Sequence, residues 1–339
     1  MGNLDHQPDK GGIRGNARSA THLPTAQPAA KPSSNESSAS SPITTSDTNP
    51  YKAAREALDR DGFVVLSASL FPSFDLDTLR AAASGITAAA RSGQWPYIRT
   101  LPKQFPPWPQ DASNGIWGVQ HLLHPTNPEH ITFAKTYFDS ELLKYVSVLI
   151  GCCEDDLTME LYNMLVRPER DFSLRWHRDD MPATATAEEE EERLKKPAHH
   201  AQWNLALYDD SSLVLIPGSH VRARTDVERA ADPYEAHMPG QITVKLKAGE
   251  VAFYNNNILH RGVYDSTKER MTLHGSIGTT QAGIQRARNV LQHGVGVWAK
   301  QLSFDDFEPE MAERAKMMRE RLDEMGNMSG DVGYFAETE

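Results

Sequence analysis

Cysteine is nearly absent from the sequence. The 339 residues include only Cys152 and Cys153, which are adjacent in the chain and cannot readily form a disulfide with each other. A small secreted fold that depends on disulfides is therefore excluded. A reducing compartment such as the cytoplasm is the expected location.

Long apolar runs and an excess of basic residues are missing as well. No stretch approaches the roughly 18 apolar residues that a membrane-spanning helix needs. The net charge is −11, and most of it lies in residues 305–339, with eleven acidic and four basic side chains, and in the five glutamates Glu188–Glu192. We therefore expect no binding to nucleic acid or membranes, and a small molecule as the substrate.

The composition divides the chain into three parts. Residues 1–50 have no aromatic residue and are rich in Ser, Ala, Pro and Thr, so we predict a disordered segment there. Residues 51–300 have the composition of one globular domain, and 301–339 are predicted to form a C-terminal helix and a tail. The apolar stripe of that helix favours core packing or a dimer contact, so a homodimer is possible and the oligomeric state stays unknown.

The hydrophobic pattern indicates a chain that is rich in strands and flanked by helices. Strands are predicted at 63–66, 118–123, 157–166, 202–207, 213–216 and 249–254 and from 270 onward. Helices are predicted at 51–59 and 74–92, twice within 131–149, and as a solvated surface helix at 184–196. The Pro- and aromatic-rich segment 94–117 is interpreted either as a wall or lid over a substrate or as a structural cover.

The segment around His177 carries the strongest chemical signal. In an extended chain His177 and Asp179 point to the same side and can bind one metal ion. His260 follows a predicted strand and a short polar loop, which makes it the preferred third ligand over four other histidines, His199, His200, His220 and His274. Two imidazoles and one carboxylate form the facial triad of non-haem Fe(II) oxygenases, which leaves three coordination positions open.

Arg270 lies ten residues after His260, at the start of a predicted strand, and shares a face with Thr272. A guanidinium binds a carboxylate through two hydrogen bonds, and a neighbouring hydroxyl adds a third. This pair is therefore suited to the distal carboxylate of 2-oxoglutarate. Gln120 and Asn163 are predicted as secondary contacts to the co-substrate.

Taken together, the motifs resemble the phytanoyl-CoA dioxygenase family of Fe(II)/2-oxoglutarate oxygenases over about residues 51–295. The resemblance is carried by Trp176-His177-Arg178-Asp179, Leu215-Ile-Pro-Gly-Ser-His220, Ala248-Gly-Glu-Val-Ala-Phe-Tyr254, His260-Arg-Gly262 and Arg270. It implies a mainly β fold with flanking helices, built on a double-stranded β-helix of the jelly-roll or cupin type. It also implies iron at His177, Asp179 and His260, 2-oxoglutarate at Arg270, and an aromatic bordering 2-oxoglutarate, for which Trp203 is the candidate.

The expected activity is that of a dioxygenase that uses Fe(II), 2-oxoglutarate and dioxygen. It would hydroxylate or otherwise oxidise a small organic substrate and release succinate and CO2. Halogenases of this type lack the carboxylate ligand, and Asp179 is present here, so hydroxylation or a related oxidation is favoured. Two alternatives stay open, namely a non-catalytic metal-binding barrel and a metal-dependent hydrolase or isomerase of the cupin type.

Overall fold

The computed structural model describes residues 41–328. Eleven strands are formed in this part of the chain: β1 Phe63–Leu66, β2 Ile98–Thr100, β3 Ile116–Val119, β4 Leu157–Val166, β5 Phe172–Ser173, β6 His200–Ala206, β7 Leu213–Leu215, β8 Ile242–Thr243, β9 Val251–Tyr254, β10 His260–Tyr264 and β11 Met271–Thr279. They make two sheets with the strand orders β1-β9-β6-β11-β4-β3-β2 and β5-β10-β7-β8.

Every strand pairing within the two sheets is antiparallel. Most neighbours are distant in sequence, since β9 lies between β1 and β6 and β10 lies between β5 and β7. Connections that cross repeatedly between two sheets are typical of a jelly roll. The predicted double-stranded β-helix with flanking helices is therefore confirmed.

Nine α-helices accompany the sheets in the described residues. They are α1 Pro50–Asp61, α2 Leu76–Arg91, α3 His130–Tyr137, α4 Ser140–Ile150, α5 Ala187–Leu194, α6 Asp226–Ala230, α7 Gly283–Val290, α8 Gly296–Trp298 and α9 Pro309–Asn327. Side-chain caps define several ends: Asn49 accepts a hydrogen bond from the first turn of α1, and Thr186 and Glu189 form the predicted capping box of α5. None of these helices combines the length and apolarity that crossing a membrane requires.

The large sheet has one apolar face and one polar face. On β6, Trp203 and Leu205 belong to the main hydrophobic core, which they share with residues of helices α2 and α4. The alternate residues Gln202 and Asn204 line a cavity on the opposite face. Because side chains alternate along a strand, the same strands that build the core also supply the polar groups of the cavity.

Residues ahead of the predicted domain start at 51 also contact the sheet and the first helix. Ile43 pairs with Leu66 through backbone hydrogen bonds, and Asn49 caps α1. The prediction of disorder for 1–40 and of a tail for 329–339 lies outside the described residues.

The C-terminal helix is part of the same domain. On α9, Met318 and Leu322 are buried in the main core, and Arg321 donates a hydrogen bond to the carbonyl of Leu157 on β4. Of the two interpretations of its apolar stripe, core packing therefore describes these residues. The helix runs to Asn327, one residue beyond the predicted stop at Gly326.

Gly275 tests the packing between β6 and β11. It lies opposite Trp203, and a Cβ at this position would be 2.2 Å from Trp203 Cζ2. We expect Gly275→Ala to lower the free energy of unfolding by about 1–3 kcal/mol, because the indole has no room to move in the core. Gly85 on α2 has open space at its Cβ, so Gly85→Ala should instead raise stability by about 0.5–1 kcal/mol. Urea denaturation gives the free energy of unfolding of both variants. Equal changes in the two would contradict the close packing of Gly275 against Trp203.

Candidate metal centre and co-substrate site

Two neighbouring segments of the smaller sheet bring three side chains together. His177 and Asp179 follow β5, and His260 is the first residue of β10. The backbones of His177 and His260 exchange two hydrogen bonds, of 3.0 Å and 3.1 Å. The candidate ligand atoms of the three residues all lie within 4.8 Å of one another, and no other such group of three occurs among residues 41–328.

Both imidazoles are held in one tautomer by the backbone. His177 Nδ1 donates to the carbonyl of Arg175 at 2.8 Å, and His260 Nδ1 donates to that of Ile258 at 2.9 Å. A carbonyl oxygen only accepts, so Nδ1 carries the proton in each ring and Nε2 keeps a free lone pair. The two Nε2 atoms lie 3.4 Å and 3.7 Å from Asp179 Oδ1, so three donor atoms face one point.

The carboxylate of Asp179 is oriented by Gln202, whose Nε2 donates to Asp179 Oδ2 at 2.7 Å. Enclosure in the cavity raises the pKa of Asp179, but His260, His177 and this hydrogen bond outweigh that effect and hold the pKa below its ordinary value. Burial, followed by the neighbouring His177, lowers the pKa of His260 to about 4. A charged carboxylate beside a neutral imidazole with a free Nε2 is a donor set that fits Fe(II) or another divalent transition metal.

A cavity of about 620 Å³ opens in front of these donors. Its walls come from the polar face of the large sheet, from β10 and from the segment 104–117, and the triad lies in its lining. That volume lies within the range that proteins use for small-molecule ligands.

Arg270 lines the same cavity and is only 6% exposed. Its guanidinium lies 4.4 Å from the ring centre of Tyr264, and its Nε is 3.2 Å from Asp210 Oδ1. Arg270 Nη1 and the buried hydroxyl of Thr272 have no hydrogen-bond partner. Buried polar atoms without partners are uncommon, so these two atoms indicate a place for a polar ligand.

The other three residues predicted to contact the co-substrate lie in different surroundings. Gln120 lines the cavity. Asn163 lies on the polar face opposite His274, where its Oδ1 accepts a hydrogen bond from the backbone of His121 at 2.9 Å. Trp203 is 1% exposed and packs in the core against Tyr137 and Phe253, so the structure gives no support to its predicted place beside 2-oxoglutarate. The alternation of β6 gives the cavity its residues 202 and 204 and gives the core residue 203.

The rival histidines lie apart from the triad. His220 is within hydrogen-bond distance of the carbonyl of Asp59, at 3.2 Å. His274 lines the cavity and its Nδ1 is 3.0 Å from Asn204 Oδ1, while burial lowers its pKa to about 3. His200 lines the cavity without joining the triad. The backbone carbonyl of His199 accepts a hydrogen bond from the backbone N–H of Thr279.

The aromatic segment 94–117 serves both predicted purposes. Phe105, Trp108 and Trp117 line the cavity, as a wall would. Trp95 belongs to the main core and donates to the carbonyl of Gln120, as a structural cover would.

Helix α5 has the predicted solvent-exposed surface, but its one buried residue, Glu190, joins it to the segment of the candidate ligands through a buried charge network. The carboxylate of Glu190 is fully buried. It accepts hydrogen bonds from Arg224 at 2.5 Å and Arg229 at 2.8 Å, and Arg178 Nε lies 3.8 Å away. Arg178 stands between the two ligands His177 and Asp179 in the chain, so this network supports the ligand segment from behind.

The sequence matches no family model and no curated protein. Solved structures with a partly similar fold include EctD from S. alaskensis with bound Fe, at 19% identity, TM-score 0.48, 76% of this chain and 84% of that chain. A second is the non-heme alpha ketoglutarate dependent epimerase SnoN from nogalamycin biosynthesis, at 17% identity and a TM-score of 0.45. The match covers 68% of this chain and 81% of that chain. A third is AviO1 from Streptomyces viridochromogenes, at 19% identity and a TM-score of 0.46. The match covers 67% of this chain and 94% of that chain.

Glu190 provides a test of the support behind the ligand segment. Glu190→Gln removes the buried negative charge and leaves three arginines near each other, so we expect unfolding free energy to fall by about 3–5 kcal/mol. The exposed Glu191 is the matched control on the same helix, and Glu191→Gln should change stability by less than about 0.5 kcal/mol. Thermal and urea unfolding of both variants give the comparison, and an unchanged Glu190→Gln protein would show that the network does not stabilise the fold.

Proposed function

We propose that the protein is a non-haem Fe(II)- and 2-oxoglutarate-dependent oxygenase that oxidises a small organic molecule. The observation that carries the proposal is one cavity with two features: the donor atoms of His177, Asp179 and His260 on one side, and the buried, incompletely bonded guanidinium of Arg270. A facial set of three donors leaves neighbouring coordination positions free for a co-substrate and dioxygen.

In this proposal the protein supplies binding and orientation. His177, Asp179 and His260 would hold the iron, and the hydrogen bonds from their Nδ1 atoms and from Gln202 keep the donors directed at one point. When bound, iron with 2-oxoglutarate and dioxygen supplies the oxidising chemistry, with succinate and CO2 as products. The cavity walls hold the substrate and keep bulk water away from the reacting groups.

Arg270 would bind the distal carboxylate of 2-oxoglutarate. The ring of Tyr264 and the carboxylate of Asp210 contact its guanidinium from within the fold and fix its orientation, while Nη1 stays available. The buried hydroxyl of Thr272 on the same strand face adds a further donor. A metal-dependent hydrolase or a non-catalytic barrel would use the same three ligands but would have no use for this carboxylate site.

Succinate formation tests the proposed chemistry. With Fe(II), 2-oxoglutarate and air, the wild-type protein should form succinate even without substrate, and His177→Ala and Asp179→Ala should each lower the rate by about 100-fold or more, since each removes a metal ligand. Anaerobic measurement of bound Fe(II) should show the same loss. His237, which lies outside the cavity lining, gives the control variant His237→Ala with unchanged rate and iron content. Undiminished succinate formation in either ligand variant would refute the assignment of the triad.

The affinity for 2-oxoglutarate tests the role of Arg270. We expect Arg270→Ala to weaken binding by about 30-fold or more, which corresponds to roughly 2 kcal/mol for the loss of charge-assisted hydrogen bonds to a carboxylate. The measurement is the anaerobic titration of the Fe(II)-loaded protein with 2-oxoglutarate, followed by the absorption band of the complex that Fe(II) and 2-oxoglutarate form in the protein. Lys268→Ala removes an exposed charge two residues away and should leave the affinity unchanged. Equal affinities of Arg270→Ala and Lys268→Ala would remove Arg270 from this role.

A further inference from the structure

The cavity contains more positive than negative side chains. Among the described residues, five arginines and two aspartates line it: Arg99, Arg178, Arg193, Arg270 and Arg286, with Asp179 and Asp180. Three of these arginines have carboxylate partners inside the protein. Arg178 lies next to Glu190, and Arg286 forms two hydrogen bonds with Glu160. Arg270 Nε lies 3.2 Å from Asp210 Oδ1, although its Nη1 has no partner. Arg193 is exposed to solvent.

Arg99 is the unusual member of this set. It lies in the middle of β2, and its guanidinium contacts the rings of Trp108 and Trp117, at 5.0 Å and 5.3 Å from the ring centres. Its Nε is buried and has no hydrogen-bond partner, and no carboxylate of the described residues forms an ion pair with it. Gly118 on the paired strand makes room for its stem, because a Cβ there would be 2.9 Å from Arg99 Cδ.

This arrangement holds a cation at a place where it is poorly compensated. Burial lowers the pKa of Arg99, which reflects the cost of keeping the charge away from water. Contact with two indole rings offsets part of that cost. Stacking occupies the faces of a guanidinium but leaves its N–H groups, which lie in the plane, available to an anion.

The co-substrate does not account for this cation, provided that the proposed function holds. One end of 2-oxoglutarate is assigned to the metal, and the distal carboxylate to Arg270 and Thr272. Arg99 is therefore open to a second anion. The substrate is the remaining ligand of the cavity.

The side chains around Arg99 indicate the shape and polarity of the rest of that ligand. Phe105, Trp108 and Trp117 line one part of the cavity, together with Leu161 and Leu165 of β4. Such a wall fits a flat or ring-containing apolar body better than a polar chain. We propose that the substrate is a small carboxylic acid with a ring-containing apolar body, and that Arg99 binds its carboxylate and thereby fixes which carbon faces the metal.

Binding of matched ligand pairs to the full chain tests this proposal. The probes are phenylacetate, cinnamate, indole-3-acetate and 2-naphthoate, each paired with its primary amide. They are titrated into anaerobic protein saturated with Fe(II) and 2-oxoglutarate, with calorimetry and tryptophan fluorescence as readouts. We expect at least one acid to bind about 10-fold or more tightly than its amide, because the amide lacks the charge that Arg99 recognises.

Variants of Arg99 identify the group responsible. Arg99→Met should remove the preference for acid over amide, and Arg99→Lys, which keeps the charge without the fork, should retain part of it. The midpoint of thermal unfolding of Arg99→Met should not fall, since a half-buried cation without a carboxylate partner is removed. Arg170 is exposed and outside the cavity lining, so Arg170→Met should behave as the wild type.

Three results would overturn the proposal. The first is that no acid binds the wild-type protein more tightly than its amide. The second is that the preference for acids survives in Arg99→Met. The third is that Arg99→Met weakens 2-oxoglutarate binding as strongly as Arg270→Ala does, which would assign Arg99 to the co-substrate.

Failure of the proposed function would be recognised separately. It would appear as an absence of iron-dependent succinate, and the acid and amide titrations can then be repeated without metal or 2-oxoglutarate. A preference for acids that depends on Arg99 would in that case establish a carboxylate site in a barrel with another activity.

Discussion

The backbone pairing between His177 and His260 is the constraint on which the candidate metal centre depends. Two hydrogen bonds of 3.0 Å and 3.1 Å join these residues directly, so the separation of the two imidazoles is set by the sheet. Each ring is then fixed by the carbonyl two residues earlier in its own chain segment. The free Nε2 atoms therefore face one another through backbone geometry alone. Only the direction of Asp179 depends on another side chain, that of Gln202.

The large sheet separates the main hydrophobic core from the polar cavity. Its strands place Leu273 and Ile277 of β11 in the main core, and their alternate neighbours His274 and Ser276 in the cavity. A single residue slip of β11 would exchange these two sets. The close contact of Gly275 with Trp203 fits one register, so the packing of the core also fixes which side chains of β11 line the cavity.

The ligands were predictable from the sequence because their geometry is local or periodic. A spacing of two residues in an extended segment places His177 and Asp179 on one side, and the same alternation joins Arg270 to Thr272. Residues whose surroundings depend on distant segments were not predictable. Glu190 belongs to a run of five glutamates, and only the folded chain shows that it meets arginines more than thirty residues away. Arg99 precedes the first ligand by many residues and is recognisable only by the indoles that surround it and the carboxylate that it lacks.

The position of Arg99 in the cavity favours an anionic substrate. The charges of a divalent metal and of doubly negative 2-oxoglutarate would cancel, and Asp210 offsets the charge of Arg270. Burial, the largest cause in each case, lowers the pKa values of His260, His274 and His293 to about 4, 3 and 4, so these lining imidazoles add no charge at neutral pH. Asp180 and the exposed Arg193 carry opposite charges. Asp179 and Arg99 also carry opposite charges, but no ion pair joins them among the described residues. The guanidinium of Arg99 therefore has no carboxylate partner in a partly desolvated space where charges interact strongly. A neutral substrate would leave its N–H groups without an anion, whereas a carboxylate would supply one.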